Sequence, residues 1–416
     1  MVKSMPKDKG LDHTLKILSE GYPYILNRRN TLQSNVFETR LLVERVICLT
    51  GKEAAELFYS NDKFRRSDAA PPRVKKTLFG EGGVQGLDGD AHHHRKGMFM
   101  SMMSKESLQE IVELTDVAWD KFTTKWEKMD SVKLYEESKK LLTLVACHWT
   151  GVPVKDRGVK ELSQELGDMF ESAASVGVAH YKSRRSRSNI EKWLIELVEK
   201  VRNEEIQVES HKALYAFSTY RDLEGNLLDS KVVAVELLNL LRPIVAISVY
   251  ITFTALALHH YPKEGEKLKE GDSSLQLFIQ EVRRYYPFFP FTAARVNQDF
   301  EWQGYSFKEG TLTLLDLYGT NHHPEEWENP DRFSPSRFAD WTGNPFDFIP
   351  QGGGEFDIGH RCAGEWITID ILKVSLKHMV HHMTYTVPDQ DLDYSYSDIP
   401  SLPKSGFMMK NVRHVQ

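Results

Sequence analysis

Cysteine is scarce in this sequence, with three in 416 residues: Cys48, Cys147 and Cys362. Thiols so few and so scattered exclude a disulfide framework and point to a reducing compartment, expected to be the cytoplasm. Positive charge is not in excess either. Lys and Arg number 53 against 59 Asp and Glu, for a net charge of -6, which argues against general nucleic-acid binding. No Gly/Ser- or Pro-rich linker, internal repeat or low-complexity tract divides the chain. It therefore reads as a single domain over residues 1–416, although ~150 residues per domain would suggest two or three. Met1 to Leu18 carries Lys3, Lys7, Asp8, Lys9 and Asp12, and holds neither a signal-peptide core nor a membrane anchor. Pro243 to Leu258 is free of charge but shorter than the ~20 residues a bilayer-spanning helix needs. It reads as a buried core helix, and no membrane span is expected.

The chain is 41% hydrophobic and 27% charged, an ordinary globular balance. From about Lys105 to His260 the apolar residues recur at helical spacing, as in Leu108, Ile111, Val112 and Leu114, then Trp193, Leu194, Leu197 and Val198. Arg45–Leu49 reads as a strand, Lys52–Tyr59 as a helix, Gly80–Gly89 as a glycine-rich loop before a helix near His92, and Phe300–Phe307 as a hairpin. A final helix after Cys362 should bury Trp366, Ile367, Ile369, Leu372, Leu376, Met379 and Val380. The class is mainly α with a minor β part. Ser230–His260 reads as one helix roughly 45 Å long. Pro243 in its middle removes a bond to the Asn239 carbonyl at a cost of ~3 kcal/mol, and the kink this predicts suggests that something is bound there.

Cys362 follows Gln351–Gly354 and opens the last helix. A sulfur at that position faces unpaired N–H groups and the positive end of the helix dipole, which favour the thiolate, the form that binds iron. Gly364 allows a flat macrocycle to approach the backbone. Taken alone, an inert buried cysteine is the alternative. Further motifs accompany it. Glu281-Val-Arg-Arg284 puts two opposite charges on one helical face. Phe333-Ser-Pro-Ser-Arg337-Phe338 follows, then His360-Arg-Cys362-Ala-Gly364.

In order and spacing these motifs resemble the cytochrome P450 family across the whole chain. The resemblance implies that fold, with haem b between the long distal helix and the proximal C-terminal helix. It also implies Cys362 as the axial ligand of the iron, and an ion-pair triad of Glu281, Arg284 and Arg337. His92 and Lys96 would meet the haem propionates, with His360 doing the same from the proximal side. Glu355 and Ile358 stand where the family's signature has Phe and Gly.

The long helix departs from the family's oxygen-activating members, which carry an acid followed by Thr near the haem. Here the segment reads Asn239-Leu-Leu-Arg242-Pro243-Ile-Val-Ala-Ile-Ser248, and Thr252 lies almost three turns beyond Arg242. Arginine does not release a proton near neutral pH. Buried without a partner it is costly, and a substrate carboxylate would satisfy its fork. An acid remote in sequence is the alternative partner. Arg242-Pro243 in this helix also resembles the family's fatty-acid peroxygenase branch. So do Phe79-Gly80, Asp88-Gly89 with His92, Glu281–Phe291, Leu315–Asn321, Gln351–Gly354 and Ser401–Phe407.

That resemblance implies hydrogen-peroxide-dependent hydroxylation of fatty acids at Cα or Cβ with no required redox partner. The substrate carboxylate on Arg242 would act as general acid–base, and terminal alkene would be at most a minor product. Leu78, Phe79, Phe170, Phe289 and Phe291 would line the acyl chain, although each phenylalanine could also be plain core packing. Gln85 stands where hydroxylating members often have Gln and some decarboxylating members have His. A reductase-fed monooxygenase and a non-catalytic haem-thiolate fatty-acid carrier are the alternatives.

Four other signals read as structural. His92, His93 and His94 point about 100° apart and cannot share an ion. His378 and His382 read as a solvated late-helix face, without the other residues of a zinc motif. Arg184 to Arg187 read as a solvated basic cluster. Cys48 and Cys147 read as small apolar fillers.

Overall fold

The computed structural model describes residues 3–60, 62–172 and 177–415. Its principal helices are α1 (Thr14–Glu20), α2 (Gly89–Met100), α3 (Lys105–Trp126), α4 (Leu134–Thr150), α5 (Val159–Glu171), α6 (Val178–Arg202), α7 (Ser230–His260), α8 (Asp272–Tyr285) and α9 (Glu365–Lys377). A five-stranded sheet lies beside them, built from β1 (Val36–Leu41), β2 (Glu44–Leu49), β3 (Phe64–Arg65), β4 (Phe291–Val296) and β5 (Leu312–Asp316) in the order β1-β2-β5-β4-β3. The β2–β5 pair is parallel and the others antiparallel. Phe300–Trp302 and Tyr305–Phe307 form the expected hairpin.

The centre of the molecule is α7, which packs against α4, α5, α6 and α9. It is apolar on nearly every side because it is covered on nearly every side. By length and composition it would cross a membrane, but 83% of its most apolar window is buried inside the protein. Pro243 sits within this helix, which continues unbroken to His260.

Three surface expectations change. Trp366 is 48% exposed, because α9 turns Ile367, Ile371 and Leu372 inward and leaves Trp366 on the opposite side. His378 is buried, stacks on Trp119 and bonds Asp116 through Nε2 at 2.8 Å, so it belongs to an internal contact between α3 and the end of α9. Arg187 is also buried, unlike Arg184 and Arg185, because α6 turns it inward.

An ion-pair knot joins the end of α8 to the segment that carries Arg337. Arg284 donates to both Glu281 oxygens, at 2.7 and 2.8 Å, with Glu281 and Arg284 almost fully buried. Arg337 reaches Glu281 at 3.2 Å, and the Ser334 N–H donates to it at 2.7 Å. Glu281→Gln leaves two guanidinium groups facing a neutral amide. We expect it to lower the unfolding free energy by about 3–5 kcal/mol, read as a fall in the denaturation midpoint. A loss below about 1 kcal/mol would put this pair in the class of surface ion pairs.

Candidate active site

Cys362 lies in the loop before α9, and its N–H donates to the Gln351 carbonyl at 3.3 Å. Gln351 turns back over the sulfur, with Nε2 4.0 Å from Sγ and 3.0 Å from Thr368 Oγ1. A Cβ placed on Gly364 would meet only the Cys362 sulfur, at 3.9 Å, so the space above this backbone is open. The helix start does favour the thiolate, and the Gly364 N–H and the Lys96 charge act in that direction. Burial is larger and pushes the Cys362 thiol above its ordinary range. A bound metal cation deprotonates a thiol outright.

Four basic side chains converge beside this loop with little anionic compensation. The rings of His92, on α2, and His360 stack with centroids 3.8 Å apart. Burial pulls His92 down to about 4 and His360 lower still. Arg66, which nothing local in the sequence marks, is buried over the Phe58 ring, and burial brings it down to about 10. Lys96 is buried as well, and burial brings it down to about 8. Its Nζ bonds the Arg361 carbonyl. Deeper in, Glu365 of α9 ties Arg361 to the fully buried Arg283.

The long helix α7 carries Arg242. It is 5% exposed, its Nη1 has no partner, and none of its nitrogens makes a hydrogen bond or ion pair among the described residues. Burial, followed by the nearby Arg187 charge, pulls this guanidinium down to about 9, which leaves it charged at neutral pH. The acid nearest in sequence is already committed. Glu236 accepts from Arg95 at 2.9 Å and from Asn239 Nδ2 at 3.0 Å. Asn239 Nδ2 also donates to Gln85 Oε1 at 3.3 Å, which places Gln85 at the end of a fixed polar chain one helical turn from Arg242.

The apolar residues divide. Leu78, Phe79 and Phe170 join the helical core that contains α7, whereas Phe291 belongs to a separate cluster on the sheet with Phe37, Cys48 and Leu314. Phe289 is 41% exposed and Phe288 stacks on Tyr250 of α7, so Phe288 is the covered member of the pair. Leu78 and Phe79 stand on a wide turn, Lys75–Phe79, whose Thr77 and Leu78 carbonyls accept from Arg187 Nη1 at 3.3 and 3.0 Å. Gly80 ends that turn at φ 87°, where a Cβ would come within 2.2 Å of Arg187 Nη2 and 2.5 Å of Val235 Cγ1. Arg187 was missed because its neighbours Arg184 and Arg185 do face water; the isolated helical period that turns it inward was the available signal.

The sequence profile of the family Cytochrome P450 covers residues 274–411. Cytochrome P450EX alpha (CYP152N1), solved with myristic acid, is 52% identical with a TM-score of 0.97, covering 99% of this chain and 100% of that one. A variant of cytochrome P450 OleT, solved in complex with arachidonic acid, is 39% identical with a TM-score of 0.96, covering 100% and 99%. The chain belongs to the cytochrome P450 family. A curated relative, Cytochrome P450 71B24 of Arabidopsis thaliana, is 29% identical over 140 residues, which is 32% of this chain and 27% of that protein.

This cytochrome P450 belongs to the CYP152 fatty-acid peroxygenase branch and is a haem-thiolate oxidoreductase with haem b as its cofactor. The residues present fit that group. A sulfur donor stands under open space at Gly364, and the buried Arg66, His92 and His360 form no ion pair among the described residues, which leaves them free for two propionates.

Proposed function

We propose that Cys362 is the axial ligand of the haem iron and that Arg242 anchors the carboxylate of a long-chain fatty acid. Hydrogen peroxide is the oxidant, without a redox partner. Net, RH and H₂O₂ give ROH and H₂O. When bound, haem supplies the chemistry that transfers one peroxide oxygen into a C–H bond. Arg66, His92 and His360 would hold its propionates, with Lys96 steadying the cysteine loop. The three free thiols fit a reducing cytoplasm.

The observation that carries this reading is the Arg242 Nη1, buried in α7 without a partner. A carboxylate would relieve that cost with two charge-assisted bonds. It would also bring to the site a base that α7 does not supply, since Glu236 is tied to Arg95 and Asn239. The bound carboxylate takes a proton from one peroxide oxygen and returns it to the oxygen that leaves as water, so the substrate performs its own acid–base catalysis. Pro243, the next residue, has no N–H and leaves the Asn239 carbonyl without its helical donor. With its head group on Arg242, the acid presents Cα and Cβ first, and Leu78, Phe79, Phe170 and Phe289 receive the tail. Phe291 supports the wall from the sheet side.

Gln85 bears no titratable proton, and its Oε1 is held by Asn239. It therefore offers no acid or base to steer the reaction toward loss of the carboxyl group. We expect 2- and 3-hydroxymyristate as the main products from myristate and peroxide alone. Mostly 1-alkene would overturn the product assignment, and turnover that appears only with a reductase would overturn the choice of oxidant.

A further inference from the structure

Several of the most exposed aliphatic side chains gather on one face. Leu11, Leu15 and Leu18 are 87, 82 and 50% exposed, and Leu42 and Val43 are 77 and 76% exposed. The two groups form one surface because the β1–β2 hairpin tip is tied to the start of α1. The Leu42 N–H donates to Thr14 Oγ1 at 2.7 Å, and the Val43 N–H to Asp12 Oδ2 at 2.6 Å. Both tip residues have positive φ, 52° and 66°, at positions where Asn and Gly are the usual occupants. Single exposed leucines need no explanation, but a contiguous apolar group fixed at a strained turn does.

Around this face Lys9, Lys16 and Arg40 are exposed. None of the three joins an ion pair among the described residues, whereas the neighbouring Lys7 and Arg45 both pair with Glu38 and Glu44 pairs with Arg295. Asp12 accepts the backbone N–H groups of Thr14 and Val43, and Glu44, which follows Val43, is paired with Arg295.

We propose that this face docks the protein on the surface of an anionic phospholipid bilayer. An aliphatic tip within a basic rim is the composition of a surface that rests at the headgroup level without crossing the membrane. The protein carries a net charge of -6, so attraction to anionic lipid is confined to this rim and orients the molecule. A second copy is the poorer occupant. A two-fold contact would bring like charges of the rim together, and five side chains fall short of the ~800 Å² per partner of a stable interface. The docked face also communicates with the proposed acyl site. Just beyond α1, Tyr22 Oη donates to the Phe288 carbonyl at 2.9 Å, next to Phe289. Docking does not depend on the peroxygenase reading, because vesicle flotation is read without substrate.

The test is flotation of the haem-loaded protein with vesicles of palmitoyl-oleoyl-phosphatidylglycerol, and separately of the matching phosphatidylcholine. The protein should float with the anionic vesicles, much less with the zwitterionic ones, and be released by salt. The double variant Leu15→Asp/Leu42→Asp should lower the bound fraction at least ~10-fold, with the carbon-monoxide spectrum and turnover of dissolved myristate unchanged. The proposal is overturned if wild-type protein stays at the bottom of the gradient with phosphatidylglycerol, or if the double variant floats equally well. It is also overturned if sedimentation velocity shows a dimer that the double variant dissolves, which would assign the face to a second copy.

Discussion

Arg242→Ala should lower peroxide-driven turnover of myristate by ~10²–10⁴-fold, the range of a lost general acid–base group, while the reduced carbon-monoxide spectrum keeps its haem-thiolate form. Two losses combine. The carboxylate loses its bidentate partner, and peroxide loses the proton carrier that this carboxylate had become. Alanine also removes a buried charge that has no partner among the described residues, so the variant should unfold no earlier than wild type and inactivity would not reflect misfolding. Arg242→Lys should recover part of the binding and little of the rate, since a point charge holds a carboxylate without fixing its plane. Full activity in Arg242→Ala would remove the substrate-assisted mechanism.

Cys362→Ala should abolish peroxide-driven turnover and remove the long-wavelength Soret band of the carbon-monoxide complex. Thiolate donation is the lever that favours O–O cleavage in this class of haem protein, and Cys48 and Cys147 are buried elsewhere in the core. Binding of the fatty-acid head group should survive, because Arg242 belongs to a different element. Retention of the long-wavelength band in Cys362→Ala would mean that another group ligates the iron.

The sequence revealed the parts of this site that depend on short-range pattern. The ExxR pair, the meander arginine and the cysteine are spaced motifs, and the knot of Glu281, Arg284 and Arg337 forms as their spacing implies. The long helix was legible because burial on all sides demands a long apolar run. Long-range contacts were less legible. Arg66 reaches the basic cluster from β3 and its adjoining loop, and no local spacing records what it faces. Arg187 was hidden among two arginines that do face solvent. His378 looked solvated because its partners, Asp116 and Trp119, lie on a helix more than two hundred residues away. The balance at the thiol was hidden for a different reason. Dipole and N–H groups are visible in sequence, but the depth at which they act is set by packing, and burial outweighs them at Cys362.

Arg187 has a mechanical consequence. It grips the Thr77 and Leu78 carbonyls from α6 while its Nε is held by Glu191 at 2.6 Å. Helix and turn therefore behave as a single jaw. A displacement of α6 would carry Leu78 and Phe79 with it.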